Sequence, residues 1–226
     1  MNRQPTLVLV SGLGADGRLF EPQRALPWPI VTVKWLEPHR RETLADYAQR
    51  LATALTVAEP FFLGGASMGG MVALEMSRWT RPEAVFLIAS ARSGRVIHPV
   101  LRAGGRAVGR LPLAFTRLAG IVLAALAAPR PNELTPDQWR LLRQMADASS
   151  RRFYRWGCRA VVAWPGVDLP RTPVYHIHGD RDRLMPLSRV RPDHVVRGGG
   201  HMINLTHADE VNTYLREKIE RHMNER

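Results

Sequence analysis

The residues best placed to do chemistry lie in the pentapeptide Gly65 to Gly69, which has the pattern G-x-S-x-G with Ser67 at its centre. An apolar run ends at Ala66 and a helical pattern begins near Met68, which predicts a sharp strand-to-helix turn at the serine. Such a turn exposes the hydroxyl, and the N-terminus of the following helix directs free N–H groups towards an adjacent oxyanion. The pattern therefore predicts Ser67 as a nucleophile.

A serine nucleophile needs a base and an acid that orients the base, and both residue types follow later in the chain. His201 comes directly after three glycines and a short apolar stretch, on a predicted loop at the end of a strand. Asp182 lies on a loop that also follows a strand-like segment, with Asp180 as the alternative acid. The three side chains are therefore predicted to meet at the carboxyl ends of parallel strands.

The chain order of Ser67, Asp182 and His201 resembles that of the α/β-hydrolase superfamily, and the resemblance covers nearly the whole chain. Residues 179–186 also match the family's acid-loop pattern G-x-x-D-x-x-x-P, with Asp182 as the acid. The resemblance is to the serine hydrolase and esterase branch with a helical cap. It implies two-step acyl transfer by a Ser-His-Asp triad, without a cofactor.

The resemblance also implies an oxyanion hole formed by two backbone N–H groups. One belongs to Met68, the residue after the nucleophile, and the other to Leu13, in the loop after the first strand. Many relatives have His-Gly where this chain has Ser11 and Gly12, a change expected to alter how the loop is braced. The first predicted strand begins at Thr6, without the antiparallel strands that precede it in relatives.

Strand-like segments alternate with helical patterns, which predicts an α/β fold with a mostly parallel, doubly wound sheet of about six strands. The predicted strands are Thr6–Val10, Ile30–Trp35, Phe61–Ala66, Ala84–Ala89, Pro173–Ile177 and His194–Arg197. A helix is predicted after Thr43. A closing helix is predicted to begin at Thr206, with Asp209 three residues later at the spacing of a capping box. The hydrolase core is assigned to residues 1–91 and 171–226.

Residues 92–170 interrupt this alternation, have mostly helical patterns, and are predicted to form a helical cap over the site. The apolar run Leu111–Ala128 contains Arg117, and its uninterrupted part is too short to cross a bilayer, so no stable membrane span is expected. Three large side chains are predicted to line the substrate pocket beneath the cap: Met185, Met202 and Trp164.

The formal net charge of +12 comes almost entirely from arginine, since Lys34 and Lys218 are the only lysines. Thirteen arginines and four acidic residues lie between positions 91 and 170, and Arg102, Arg106 and Arg110 are spaced to form one stripe on a helix. One interpretation is a solvated face. The other is a surface that attracts an acidic substrate, an acyl carrier protein or an anionic lipid surface. Nucleic-acid binding is not predicted, because no recognition motif accompanies the charge.

Two further patterns are weighed against the hydrolase interpretation. The glycines at positions 12, 14 and 17 match the dinucleotide fingerprint G-x-G-x-x-G, with Glu37 as the nearest acidic residue about 20 positions further on. Dinucleotide binding is the less favoured alternative, because the Ser-His-Asp pattern is more complete. His176 and His178 project from the same side of a strand, but no carboxylate or cysteine cluster joins them, so they are interpreted as structural histidines and no metal site is predicted.

The predicted function is hydrolysis of a small-molecule carboxylic ester. In one variant of this hypothesis, the substrate is acidic or is bound to a carrier. A thioesterase, a lactonase and a hydrolase of acyl-carrier-protein esters are alternatives with the same triad. A ligand-binding protein of the same fold with little or no turnover is the alternative from another class. The N-terminus has no apolar signal region and Cys158 is the only cysteine, which predicts a cytoplasmic protein.

Overall fold

The computed structural model describes residues 4–108, 134–167 and 172–225. Their strands form one sheet in the order β2-β1-β3-β4-β5-β6, and all five neighbouring pairs are parallel. The strands are β1 (Thr6–Val10), β2 (Ile30–Thr32), β3 (Phe61–Ala66), β4 (Val85–Ile88), β5 (Val174–Gly179) and β6 (His194–Val196). The predicted mostly parallel sheet is confirmed, with β2 ending three residues earlier than predicted.

Helices cover both faces of this sheet, as a doubly wound fold requires. They are α1 (Leu44–Ala54), α2 (Met68–Met76), α3 (Pro99–Val108), α4 (Pro136–Ala148), α5 (Arg151–Ala163), α6 (Ile203–Thr206) and α7 (Ala208–Asn224), with a 3-10 segment at Gly17–Ala25. Helix α1 begins as predicted, because Thr43 and Asp46 form a capping box in which each side chain accepts the backbone N–H of the other.

The predicted start of the closing helix at Thr206 is wrong. Thr206 is the last residue of α6, and its hydroxyl donates to the Met202 carbonyl at 3.2 Å instead of accepting the N–H of Asp209. His207 occupies the N-cap position of α7, without a capping hydrogen bond from its side chain. The capping-box spacing was present, but the chain turns between two helices at this point.

The sheet separates two apolar clusters. Along β1, Val8 and Val10 point to the cluster that includes α1, α2 and α5, whereas Leu7 and Leu9 point to the cluster that includes the 3-10 segment and α7. All four side chains are almost completely buried, which explains why β1 is apolar without alternation.

The segment predicted as a cap contains α3, α4 and α5 in its described part. Helix α4 contributes Met145 to the cluster around α7, and α5 contributes Phe153 and Trp156 to the cluster around α1 and α2. The two helices therefore contribute to different apolar clusters. The limits of the cap at 92 and 170 stay a prediction, and the apolar run Leu111–Ala128 and Arg110 lie outside the described residues. Within the described ranges, no helix is both long and apolar enough to cross a membrane.

Candidate active site

Ser67 occupies the sharp turn between β3 and α2. Its backbone has φ 53° and ψ −124°, a conformation that non-glycine residues rarely adopt. The Ser67 N–H donates to the Ile88 carbonyl at 3.0 Å, which ties the turn to β4. A side chain at Gly69 would place its Cβ 2.0 Å from the Val10 carbonyl oxygen, so only glycine lets α2 begin this close to β1.

Ser90, at the end of β4, supports the same turn and was not singled out from the sequence. Its hydroxyl donates to the Ser67 carbonyl at 2.6 Å, and the Gly70 N–H donates to that carbonyl at 3.1 Å. The residue before it, Ala89, has φ 44°. The sequence carried only a weak signal for this contact, a serine directly after an apolar strand.

The structure brings the three predicted catalytic side chains together. Nε2 of His201 lies 2.8 Å from Ser67 Oγ, and Nδ1 of His201 lies 2.7 Å from Asp182 Oδ2. Asp182, not Asp180, contacts the histidine, because the Asp180 carboxylate instead accepts the backbone N–H of Gly198 at 2.8 Å. A hydrogen-bonded chain thus runs from the hydroxyl to a buried carboxylate.

The Asp182 carboxylate is completely buried and hydrogen-bonded on both oxygens. Oδ1 accepts the N–H groups of Leu184 at 2.8 Å and Met185 at 2.9 Å. Burial alone raises the pKa of Asp182, but the adjacent His201 and the hydrogen bonds outweigh it, so this pKa lies below its usual value. Because an ionised carboxylate can only accept, the proton of neutral His201 lies on Nδ1, which leaves Nε2 free to accept the Ser67 proton.

Two backbone N–H groups are available beside Ser67. The N–H groups of Leu13 and Met68 have no hydrogen-bond acceptor among the described residues. The loop that carries Leu13 lies against the serine, since a Cβ added at Gly12 would be 3.5 Å from Ser67 Cβ. Ser11, which stands where many relatives have histidine, is buried and braces this loop by donating its hydroxyl to the Ala15 carbonyl at 2.9 Å.

Helix α5 packs on the side chains of the two residues that carry these N–H groups. A Cβ added at Gly157 would be 2.5 Å from Leu13 Cδ1 and 3.4 Å from Met68 Sδ. One turn earlier, the ring of Tyr154 lies on Gly14, where a Cβ would be 1.9 Å from the hydroxyl oxygen. Gly157 could not be identified from the sequence, because only the packing of α5 shows that it faces this loop.

The predicted pocket residues fall in three different environments. Met185 is buried in the cluster around α2 and α5, and its N–H contacts Asp182. Met202 is partly buried and packs against the cluster on the other face of the sheet. Trp164 is buried at the end of α5 and donates its indole N–H to the Glu75 carboxylate at 2.7 Å. The Trp164 side chain thus has a structural partner, and the pocket assignment of all three residues stays a prediction.

The described residues contain no group of three or more His, Cys, Asp or Glu side chains that could hold a metal ion. Cys158 is buried, and burial raises the pKa of its thiol to about 11, which disfavours the reactive thiolate. The chemistry that this arrangement permits is therefore removal of a proton from Ser67 by His201, beside two N–H groups that can stabilise an oxyanion.

A sequence model described as the alpha/beta hydrolase family matches residues 7–213. Among solved structures, a thermophilic esterase from Thermogutta terrifontis superposes with a TM-score of 0.77 at 17% identity, covering 96% of this chain and 90% of that one. A bromoperoxidase from Bacillus anthracis superposes with a TM-score of 0.73 at 20% identity, covering 96% and 92%. These likenesses show the fold. A Synechocystis sp. protein that carries the name non-heme chloroperoxidase is 43% identical over 60 residues, which cover 21% of this chain and only 22% of that protein.

Proposed function

The chain belongs to the alpha/beta hydrolase family, and we propose that it is a serine hydrolase that cleaves a carboxylic ester through an acyl-enzyme on Ser67. The observation that carries the proposal is the continuous hydrogen-bonded chain from Ser67 through His201 to Asp182. Its location supports the same conclusion, since each of these residues follows the carboxyl end of a parallel strand.

In the first half of the reaction, Nε2 of His201 takes the hydroxyl proton while Ser67 Oγ attacks the ester carbonyl carbon. The carbonyl oxygen becomes an oxyanion that accepts the N–H groups of Leu13 and Met68. Asp182 stabilises the imidazolium that forms. His201 then returns the proton to the departing alcohol, and the acyl group remains on the serine.

In the second half, a water molecule replaces the alcohol beside His201. The histidine takes one proton from the water as its oxygen attacks the acyl carbon, and the same two N–H groups stabilise the second oxyanion. Collapse of this intermediate returns the proton to Ser67 Oγ and releases the carboxylic acid. Neither half needs a metal ion or a cofactor, because the triad supplies the nucleophile and the proton transfers.

The test combines turnover with covalent labelling. Purified protein is incubated with p-nitrophenyl acetate, butyrate and octanoate, and intact mass is measured after a fluorophosphonate probe. We expect one adduct and turnover in the wild type, loss of both in Ser67→Ala, and retention of both in Ser188→Ala, which removes an exposed serine hydroxyl. Folded wild-type protein with neither adduct nor turnover would contradict the proposal and favour a ligand-binding protein of this fold.

An acidic or carrier-bound substrate is a second candidate, favoured by the arginines of the cap segment. On α5, Arg151 and Arg159 are exposed, whereas Trp156 and Gly157 are buried. Arg106 is likewise exposed on α3, and Arg102 is partly exposed. A positive surface beside the site raises the encounter rate of an anionic partner and does so less at high salt.

Charge reversal separates this candidate from the simple esterase. In the double variant Arg151→Glu with Arg159→Glu, we expect kcat/KM to fall for an acyl-carrier-protein thioester and to stay unchanged for neutral p-nitrophenyl butyrate. The double variant Arg216→Glu with Arg221→Glu reverses two exposed arginines on α7, on the core, and serves as the matched control. An equal effect of both variants, or no change in salt dependence, would leave the arginines as a solvated face.

Esters, thioesters and lactones differ in their leaving group but form the same type of acyl-enzyme on a serine. A panel of one acyl group on alcohol, thiol and lactone leaving groups decides among them. The two similar proteins named as haloperoxidases add one assay, in which hydrogen peroxide attacks the acyl-enzyme in place of water and yields a peracid. Peracid formation that depends on Ser67 would support this variant of the proposed activity.

A further inference from the structure

Two buried histidines on β5 are not used by the proposed mechanism. His176 is 3% exposed and His178 is completely buried. Nε2 of His176 lies 3.2 Å from Nδ1 of His178, with the two rings nearly perpendicular at 88°. The pair therefore forms a direct imidazole–imidazole hydrogen bond next to the acid loop.

The proton positions on both rings follow from one carbonyl. Nε2 of His178 lies 2.8 Å from the Met185 carbonyl oxygen, which can only accept, so the His178 proton lies on Nε2. Nδ1 of His178 is then an acceptor, and His176 donates to it from Nε2. Burial lowers the pKa of His178, and burial together with neighbouring charges lowers the pKa of His176 to about 3. Both rings are thus neutral near neutral pH.

The same His178 N–H also faces the carboxylate of the triad. Nε2 of His178 lies 3.3 Å from Asp182 Oδ2, the oxygen that accepts from His201 at 2.7 Å. The Nε2–H group of His178 makes its hydrogen bond to the Met185 carbonyl, and its partial positive charge lies close enough to Asp182 Oδ2 to stabilise the ionised carboxylate. Since His178 also holds the Met185 carbonyl, it contacts the acid loop at both ends.

We propose that His178 is a positioning residue for Asp182. Its Nε2–H group holds the acid loop through the Met185 carbonyl and partly offsets the negative charge of the Asp182 carboxylate, 3.3 Å away. The inference rests on the proposed function, because it assigns His178 a role in that reaction. His178 touches no reacting atom, and it acts through the loop that carries Asp182 and Met185.

The ionisable groups around the pair come from four segments of the chain, and they do not all act in one direction. Asp182 favours protonation of His178 and His201 opposes it, while Asp193 favours protonation of His176 and Arg92 opposes it. Burial is the largest influence on both rings, and it keeps them uncharged.

The test replaces the N–H group of His178 and follows the pH dependence of kcat/KM on p-nitrophenyl butyrate. In His178→Phe the ring volume remains, but the Met185 carbonyl loses its donor and Asp182 Oδ2 loses the nearby N–H group. We expect kcat/KM to fall about tenfold, mainly in kcat, because the carboxylate is less well oriented. We also expect the acid limb of the profile to move about half a pH unit upwards, because the carboxylate then stabilises charged His201 more strongly.

Two variants separate positioning from simple loss of packing. His178→Gln keeps an amide N–H and is expected to restore the wild-type acid limb. His176→Phe removes a buried imidazole from the same strand but leaves the His178 contacts to Met185 and Asp182, so it should lower stability without moving the acid limb. A folded His178→Phe protein with the wild-type kcat/KM and acid limb would overturn the proposal, as would an acid limb that moves equally in His176→Phe.

A measurement independent of turnover keeps the two proposals distinct. Long-range proton–nitrogen NMR spectra should show wild-type His178 as the neutral Nε2–H tautomer. The Nδ1–H tautomer or a charged His178 near pH 7 would overturn the inference even if the phenylalanine variant does not fold. Failure of fluorophosphonate labelling in the wild type would instead contradict the proposed function.

Discussion

Asp182→Asn tests the triad most sharply, because the structure dictates which way the new amide must point. Oδ1 accepts two backbone N–H groups, from Leu184 and Met185, so the amide oxygen must take its place. The amide NH₂ then takes the place of Oδ2 and donates to Nδ1 of His201. The proton of neutral His201 moves to Nε2, which faces Ser67 and can no longer accept the hydroxyl proton.

The expected magnitude follows from this change of tautomer. The same substitution in the Ser-His-Asp triad of a serine protease lowers kcat about 10⁴-fold, which corresponds to about 5.5 kcal/mol of barrier. We expect a similar loss here with little change in KM, since the substrate does not touch the carboxylate. The NH₂ group would also face the N–H of His178, now 3.3 Å from Oδ2, and this unpaired contact should cost about 1–3 kcal/mol of stability.

The assay compares kcat and KM on p-nitrophenyl butyrate for Asp182→Asn and Asp180→Asn. The second variant makes the same chemical change two residues earlier, at a carboxylate that contacts Gly198 and is exposed. We expect it to retain activity close to that of the wild type. The reasoning is refuted if Asp182→Asn stays within tenfold of the wild type, or if Asp180→Asn loses as much activity.

Three further predictions concern the surroundings of the triad. His176 takes up a proton near pH 6.5 in the unfolded chain but only near pH 3 in the folded protein, so the free energy of unfolding decreases as the pH is lowered through this window. Denaturant titrations should show that the wild type loses about 2 kcal/mol more stability than His176→Phe when the pH is lowered from about 7 to about 5. Gly157→Ala places a Cβ 2.5 Å from Leu13 Cδ1 and should lower kcat/KM about tenfold while the melting temperature changes little, because the leucine methyl can turn. Glu75→Leu leaves the Trp164 indole N–H unpaired and should lower the free energy of unfolding in urea by about 3 kcal/mol.

The strands, and the meeting of Ser67, Asp182 and His201, could be predicted because their signals are local. The segments Thr6–Val10 and Phe61–Ala66 were predicted to the residue, since strands that are buried on both faces are apolar throughout. Ser67, Asp182 and His201 each follow such a segment, and parallel topology brings the ends of neighbouring strands to one edge. Chain order and strand ends were therefore enough to place three side chains that are far apart in the sequence.

The features that sequence could not supply depend on contacts between distant segments. Strand β2 ends at Thr32 because Trp35 turns inwards, where its indole N–H donates to the Ala15 carbonyl at 2.9 Å and its ring packs 5.0 Å from that of Phe153. The start of α7 was misplaced for a related reason, since Thr206 has the residue type of an N-cap but closes the preceding helix. Local sequence propensity indicates which conformations a residue can adopt, and contacts with distant segments determine which of them it adopts in the folded protein.

Helix α5 can influence substrate selectivity in two ways, one from its buried side and one from its exposed side. Gly157 faces Leu13 and Met68, so the buried side of α5 limits the space beside the proposed oxyanion hole and acts on the reacting carbonyl itself. Arg151 and Arg159 are exposed on the same helix and act only at longer range, through solvent. Substitutions on the buried side should therefore change kcat and the chain-length preference, whereas charge reversal should change KM and its salt dependence. Both the buried and the exposed side of α5 would affect a carrier-bound substrate, whereas only the buried side would affect a small neutral ester.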